Sequence, residues 1–101
     1  MYDPGIKDAV EFMQANGFRT TDSGDGVSKH DMECALDYPH VFAIARKVQA
    51  FAEADRLYRA LKTGGFPVAD PAGVSLHYAP ADGICLLIYA GPPGTTLTRK
   101  E

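Results

Sequence analysis

Cysteine is scarce in this chain. Two residues, Cys34 and Cys85, in 101 are too few for a disulfide framework. Both read as reduced thiols, Cys85 as a small hydrophobe inside the apolar run 84–89 and Cys34 within a polar segment. Basic charge is short as well: ten Lys and Arg against thirteen Asp and Glu give a net charge of −3. That excludes the broad cationic field by which proteins grip duplex nucleic acid, while leaving room for a local cationic pocket. No apolar run approaches membrane-spanning length, and the first residues, with Asp3, Pro4 and Lys7, contain no signal core. The expectation is a cytoplasmic protein with no membrane partner.

What is present is apolar content of 46%, enough to enclose one small core. Residues 1–91 are expected to form a single domain. The tail 92–101 opens with Pro92, Pro93, Gly94, Thr95 and Thr96 and ends in charge, a composition expected to fray.

The periodicities alternate between helix and strand. Asp3 before Pro4 marks a helix start, and Ile6, Ala9, Val10 and Met13 recur at helical spacing up to Gly17, predicting a helix over residues 4–16. Residues 18–21 read as a short strand leading into a polar loop. Residues 41–48 suit a buried strand, although Pro39 could also open one long helix to Lys62. With the strand reading, a second helix follows, burying Val48, Phe51, Ala54, Leu57, Tyr58 and Leu61 and exposing Glu53, Asp55, Arg56 and Arg59 until Gly64 and Gly65 end it. Val74, Leu76 and Tyr78 alternate with polar neighbours, Asp82-Gly83 supplies a hairpin turn, and residues 84–89 return as a strand apolar on both sides.

The Gly17-Phe18 and Gly65-Phe66 pairs suggest an internal duplication of helix, strand, strand. Two such halves predict an α+β fold with two helices packed on one face of a small, mostly antiparallel four-stranded sheet. The opposite face then awaits a ligand or a second copy, with His77, Tyr78 and Tyr89 as contributors, and a homo-oligomer is expected.

The chemistry concentrates in the polar segment between the first two strands. Arg19, Thr20, Thr21, Asp22, Ser23, Asp25, Lys29 and His40 form the candidate ligand-binding set, with Arg46 and Lys47 as further cations. Cations can hold phosphates by charge-assisted hydrogen bonds while an aromatic ring stacks a base. Gly24 and Gly26 do not make a phosphate loop, since no GxxxxGK[ST] follows. Asp22, Ser23 and Asp25 offer hard oxygens but not a full calcium loop, and the same residues suit a plain turn in which Asp and Ser cap backbone amides. A Ser-His-Asp triad from Ser23 or Ser28, His30 and Asp37 lacks the GxSxG elbow. No cofactor is expected.

Two resemblances bear on function. Ser28, His30, Ala35 and Asp37 fall in the order SxHxxxxAxD, which resembles the motif of zinc D-alanyl-D-alanine carboxypeptidases and endolysin peptidases; the resemblance implies His30 and Asp37 as zinc ligands. It covers about ten residues, Glu33 stands where that family usually has glycine, and no second motif supplies the base and third ligand that a catalytic zinc requires. The stretches GFRTTDSGDG (17–26), YPHV (38–41), ADRL (54–57) and YAPADG (78–83) together resemble a type of small protein of bacteriophages and prophages. That resemblance implies a phage-encoded accessory protein in a bacterial host cytoplasm. Proteins of this size and setting include oligomeric sponges for cyclic nucleotide immune signals and inhibitors that block host defence complexes. The expected function is therefore non-enzymatic: sequestration of a small anionic nucleotide to counter host immunity. Inhibition of a host defence protein and a zinc-dependent hydrolase are the alternatives.

Overall fold

The computed structural model describes residues 5–24, 38–69, 73–78, 84–92 and 94–99, of which residues 22, 47, 78 and 84 are described by their backbone alone. The elements in chain order are α1 (Lys7–Ala15), β1 (Arg19–Gly24), β2 (His40–Arg46), a short 3-10 turn (Lys47–Gln49), α2 (Ala50–Thr63), β3 (Val74–Tyr78) and β4 (Ile84–Ala90). The four strands form one antiparallel sheet in the order β1-β2-β4-β3. The fold is α+β, with both helices on the same face. The long-helix alternative for residues 39–62 is not adopted, because His40–Arg46 pairs along its whole length with Ile84–Ala90. The helix expected from residue 4 begins only at Lys7, because Gly5 and Ile6 form a turn before it; Asp3 and Pro4 lie outside the described residues.

Both helices end alike. Beyond α1, the Gly17 N–H donates to Gln14 O and the Phe18 N–H to Met13 O; beyond α2, the Gly65 N–H donates to Lys62 O and the Phe66 N–H to Leu61 O. Each glycine takes the left-handed conformation this closure needs, at φ 85° and 83°. Each phenylalanine is then buried, Phe18 under the Arg56 guanidinium of α2 and Phe66 against the Phe12 ring of α1. The sheet carries the same repetition, since Ala43 pairs with Leu87 at the middle of the β2–β4 ladder and the flanking pairs Phe42–Ile88 and Ile44–Leu86 are symmetric about it. A local twofold relationship thus relates the helix, strand, strand halves.

Alternation sorts the strand residues by face. Val41, Ala43, Ala45, Leu87 and Tyr89 are buried beneath the helices, where they meet Ile6, Val10 and Met13 of the α1 side and Leu57 and Leu61 of α2, and Cys85 is buried on the same face. Small alanines on β2 opposite larger side chains on β4 let the helices approach closely. Helix α1 packs over β1, and α2 chiefly over β3 and β4.

Three expectations are corrected by this packing. Val48 and Phe51 are 91% and 77% exposed, because the 3-10 turn delays the helix and α2 buries the stripe Ala50, Ala54, Leu57 and Leu61 instead. Tyr89 lies on the helix-covered face, where its hydroxyl donates to Pro67 O. The tail contains an anchor: Leu97 is fully buried and its N–H donates to Gly5 O at 2.8 Å, while the Arg99 guanidinium sits 5.4 and 5.2 Å from the Phe12 and Phe66 rings.

Candidate functional site

The residues 19–24, expected as strand running into loop, are all strand. Pairing with β2 places Arg19 opposite Ile44, Thr20 opposite Ala43, residue 22 opposite Phe42, Ser23 opposite Val41 and Gly24 opposite His40, with a bulge at Thr21. This distributes the candidate ligand set over both faces. Thr20 and Ser23 share the helix face with Ala43 and Val41, and Thr20 Oγ1 accepts a 2.9 Å hydrogen bond from Gln14 Nε2 on α1. Arg19 is exposed on the opposite face, and Thr21 is exposed at the bulge. Along the strand, Arg19 and the Gly24–His40 pair are separated by about 15 Å at ~3.3 Å per residue. A ligand that met both would have to run along β1.

His40 is buried, at 6% exposure. Its Nδ1 lies 3.1 Å from Tyr38 O; a carbonyl can only accept, so Nδ1 carries a proton and donates it to that bond. The imidazole packs against the rings of Tyr38 and Phe42, with centroids 5.8 and 4.9 Å apart, and covers Gly24. These contacts make His40 a fastening for the end of the β1–β2 ladder, with Nε2 as its remaining chemistry.

The sheet face away from the helices carries residues that the sequence reading passed over. Phe42 and Ile44 of β2 and Leu86 and Ile88 of β4 are half-buried in its middle, Arg19 lies at the β1 edge, and Ser75 and His77 are exposed at the β3 edge. A signal for this face existed in the sequence, since the run 84–89 is apolar on both sides. This arrangement provides an apolar surface with a guanidinium at one side and an imidazole at the other, suited to a planar ring and an anion.

Asp25, Lys29, His30 and Asp37 lie outside the described residues, as does Cys34. Among the described residues, no three His, Cys, Asp or Glu side chains are grouped to hold a metal ion. Burial raises the Tyr89 phenol well above its ordinary value and leaves it a protonated donor, not a nucleophile. Two clefts, of about 310 and 320 Å³, lie elsewhere: one between Pro67, Ala90 and Leu97, the other between Glu11, Phe12 and Arg99. Among the described residues, no helix is long and apolar enough to cross a membrane. Comparison with protein-family models, curated proteins and solved structures finds no match for this chain.

Proposed function

We propose that this chain is a non-enzymatic binding protein of phage type that acts in a bacterial host cytoplasm and counters host immunity by sequestering a cyclic nucleotide signal. The observation that carries the reading is the shared position of Arg19, Ile44 and Phe42 on the sheet face opposite the helices. A base can lie on the apolar centre while its phosphate meets the exposed guanidinium, a division of labour between stacking and charge-assisted hydrogen bonding. Asp25 and Lys29 remain part of the proposed ligand set through the segment that joins β1 to β2.

Native mass spectrometry with a panel of cyclic di- and trinucleotides tests this directly. Binding by the wild-type chain, loss of binding in Arg19→Ala with an unchanged melting temperature, and recovery of intact nucleotide after heating are the expected results. Failure of every nucleotide to bind, or recovery of cleaved product, overturns the reading.

A second reading, an inhibitor that docks on a host defence protein, is favoured by Val48 and Phe51, two large apolar side chains standing exposed where β2 passes into α2. It predicts that Val48→Ser and Phe51→Ser abolish inhibition while nucleotide binding is absent throughout.

A further inference from the structure

The two sheet edges differ. β1, at one edge, carries a bulge at Thr21 that interrupts its register, one of the devices by which edge strands discourage further pairing. β3, at the other edge, pairs with β4 in unbroken register from Val74 to Tyr78 and contains no proline, lysine or bulge. Among the described residues, no strand pairs with the outer side of β3.

The helix above that edge is also distinctive. α2 packs over β3, and Arg56 reaches from it to Asn16 O at 2.7 Å and over the Phe18 ring at 3.9 Å, which fixes the side of α2 facing α1. At 100° per residue, Phe51, Asp55, Tyr58 and Lys62 fall on the other flank, above the outer edge of β3. The exposure of Phe51 is therefore not an isolated accident of the surface. It stands beside an edge strand equipped for pairing.

We propose that β3 is a self-association edge: two copies pair antiparallel through β3, centred on Leu76, to give one continuous eight-stranded sheet with their α2 helices side by side. This inference stands on the edge and its flank and is independent of the nucleotide reading. Pairing about Leu76 sets Ser75 opposite His77 of the second copy, and the reverse, so two polar pairs lie on the open face while Leu76 meets its own copy on the helix side. The antiparallel helices bring the N-terminal half of the flank, Phe51 and Asp55, against the C-terminal half of the second copy's flank, Tyr58 and Lys62. In that antiparallel order Phe51 faces Lys62 of the second copy and Asp55 faces its Tyr58, a ring against a cation and a carboxylate against a phenol, and the same surface serves both copies, as a twofold interface requires. An edge of five residues is about 17 Å long, and with its helix flank it buries on the order of 1,000 Å², near the lower bound for specific association. The dimer is therefore concentration-dependent.

Sedimentation velocity across a concentration series, together with a cross-linking experiment, tests the proposal. The wild-type chain is expected to pass from monomer to dimer, and Phe51→Asp to weaken dimerisation at least tenfold while its melting temperature at monomer concentration is unchanged. A Ser75→Cys chain mixed with a His77→Cys chain under mild oxidant is expected to give the mixed disulfide in preference to either homodimer. A monomer at every concentration overturns the proposal. So does a dimer that is indifferent to Phe51→Asp and yields no preference for the mixed disulfide, since it would use another surface.

Discussion

Gly24 lies directly beneath the imidazole of His40 across the β1–β2 ladder: a methyl group at position 24 would come within 2.9 Å of His40 Cε1. His40 cannot simply swing aside, because Nδ1 is tied to Tyr38 O and Phe42 packs on its other side. Gly24→Ala is thus expected to cost about 1–3 kcal/mol, the usual range for overpacking. Urea denaturation checks this. In the His40→Ala background the same substitution should cost markedly less, giving a coupling energy above ~0.5 kcal/mol.

Leu97 secures the C-terminal segment through a buried side chain and a backbone hydrogen bond to Gly5. Leu97→Ala removes most of that side chain and leaves a cavity, with an expected loss of about 2–5 kcal/mol. A chain ending at Thr96 also loses the Leu97 N–H bond to Gly5 and the Arg99 contacts, so its thermal unfolding should show a loss at least as large. A loss below ~0.5 kcal/mol in both would show that the anchor contributes nothing.

The Tyr89 hydroxyl is buried and donates to Pro67 O. Tyr89→Phe is expected to cost about 1 kcal/mol near neutral pH, the net value of one hydrogen bond. The pH dependence has a definite sign. The folded phenol titrates well above its unfolded value of about 10, so above that pH the unfolded chain binds fewer protons than the folded one and stability falls as pH rises. The wild-type chain should lose stability in that alkaline range more steeply than Tyr89→Phe. Parallel slopes for the two would contradict the burial-driven shift.

Two arginines of α2 should differ sharply in value. Arg59 pairs with Asp55 at 2.9 Å, but the side chains are 77% and 59% exposed, so Arg59→Ala is expected to change stability by less than ~0.5 kcal/mol. Arg56 joins Glu53, the Asn16 carbonyl at the end of α1 and the face of the Phe18 ring. Its loss removes a link between helices as well as a charge pair, and Arg56→Ala is expected to cost about 1–2 kcal/mol. Equal effects of the two substitutions in chemical denaturation would refute this ranking.

The candidate site was legible only in part. Arg19 is recognisable in the sequence as a strand cation, and the alternation of β3 shows that His77 points away from the core. The separation of Arg19 from His40, the burial of His40 and the engagement of Thr20 with Gln14 were not legible. Each depends on the β1–β2 register and its bulge, and register is a property of two segments together. Val48 and Phe51 fit the apolar stripe of α2 as well as its true members do. Only the start of the helix after the 3-10 turn decides which side of it faces the sheet.

Local chemistry, carried by the sequence alone, determined most of the helices and strands, whereas the choice of strand over helix for His40–Arg46 came from its pairing with β4. The left-handed closures at Gly17 and Gly65, the helical spacing of Ile6 to Met13 and of Leu57 to Leu61, the alternation of residues 74–78 and the repetition of helix, strand, strand all involve neighbours along the chain. The tertiary structure decided the strand order β1-β2-β4-β3, the covering of Tyr89, the anchoring of Leu97 and the choice of β3 as an uninterrupted edge. The physical reason is that side-chain period and turn propensity act over a few residues, whereas sheet order and burial are set by competition among all apolar surfaces for a single core.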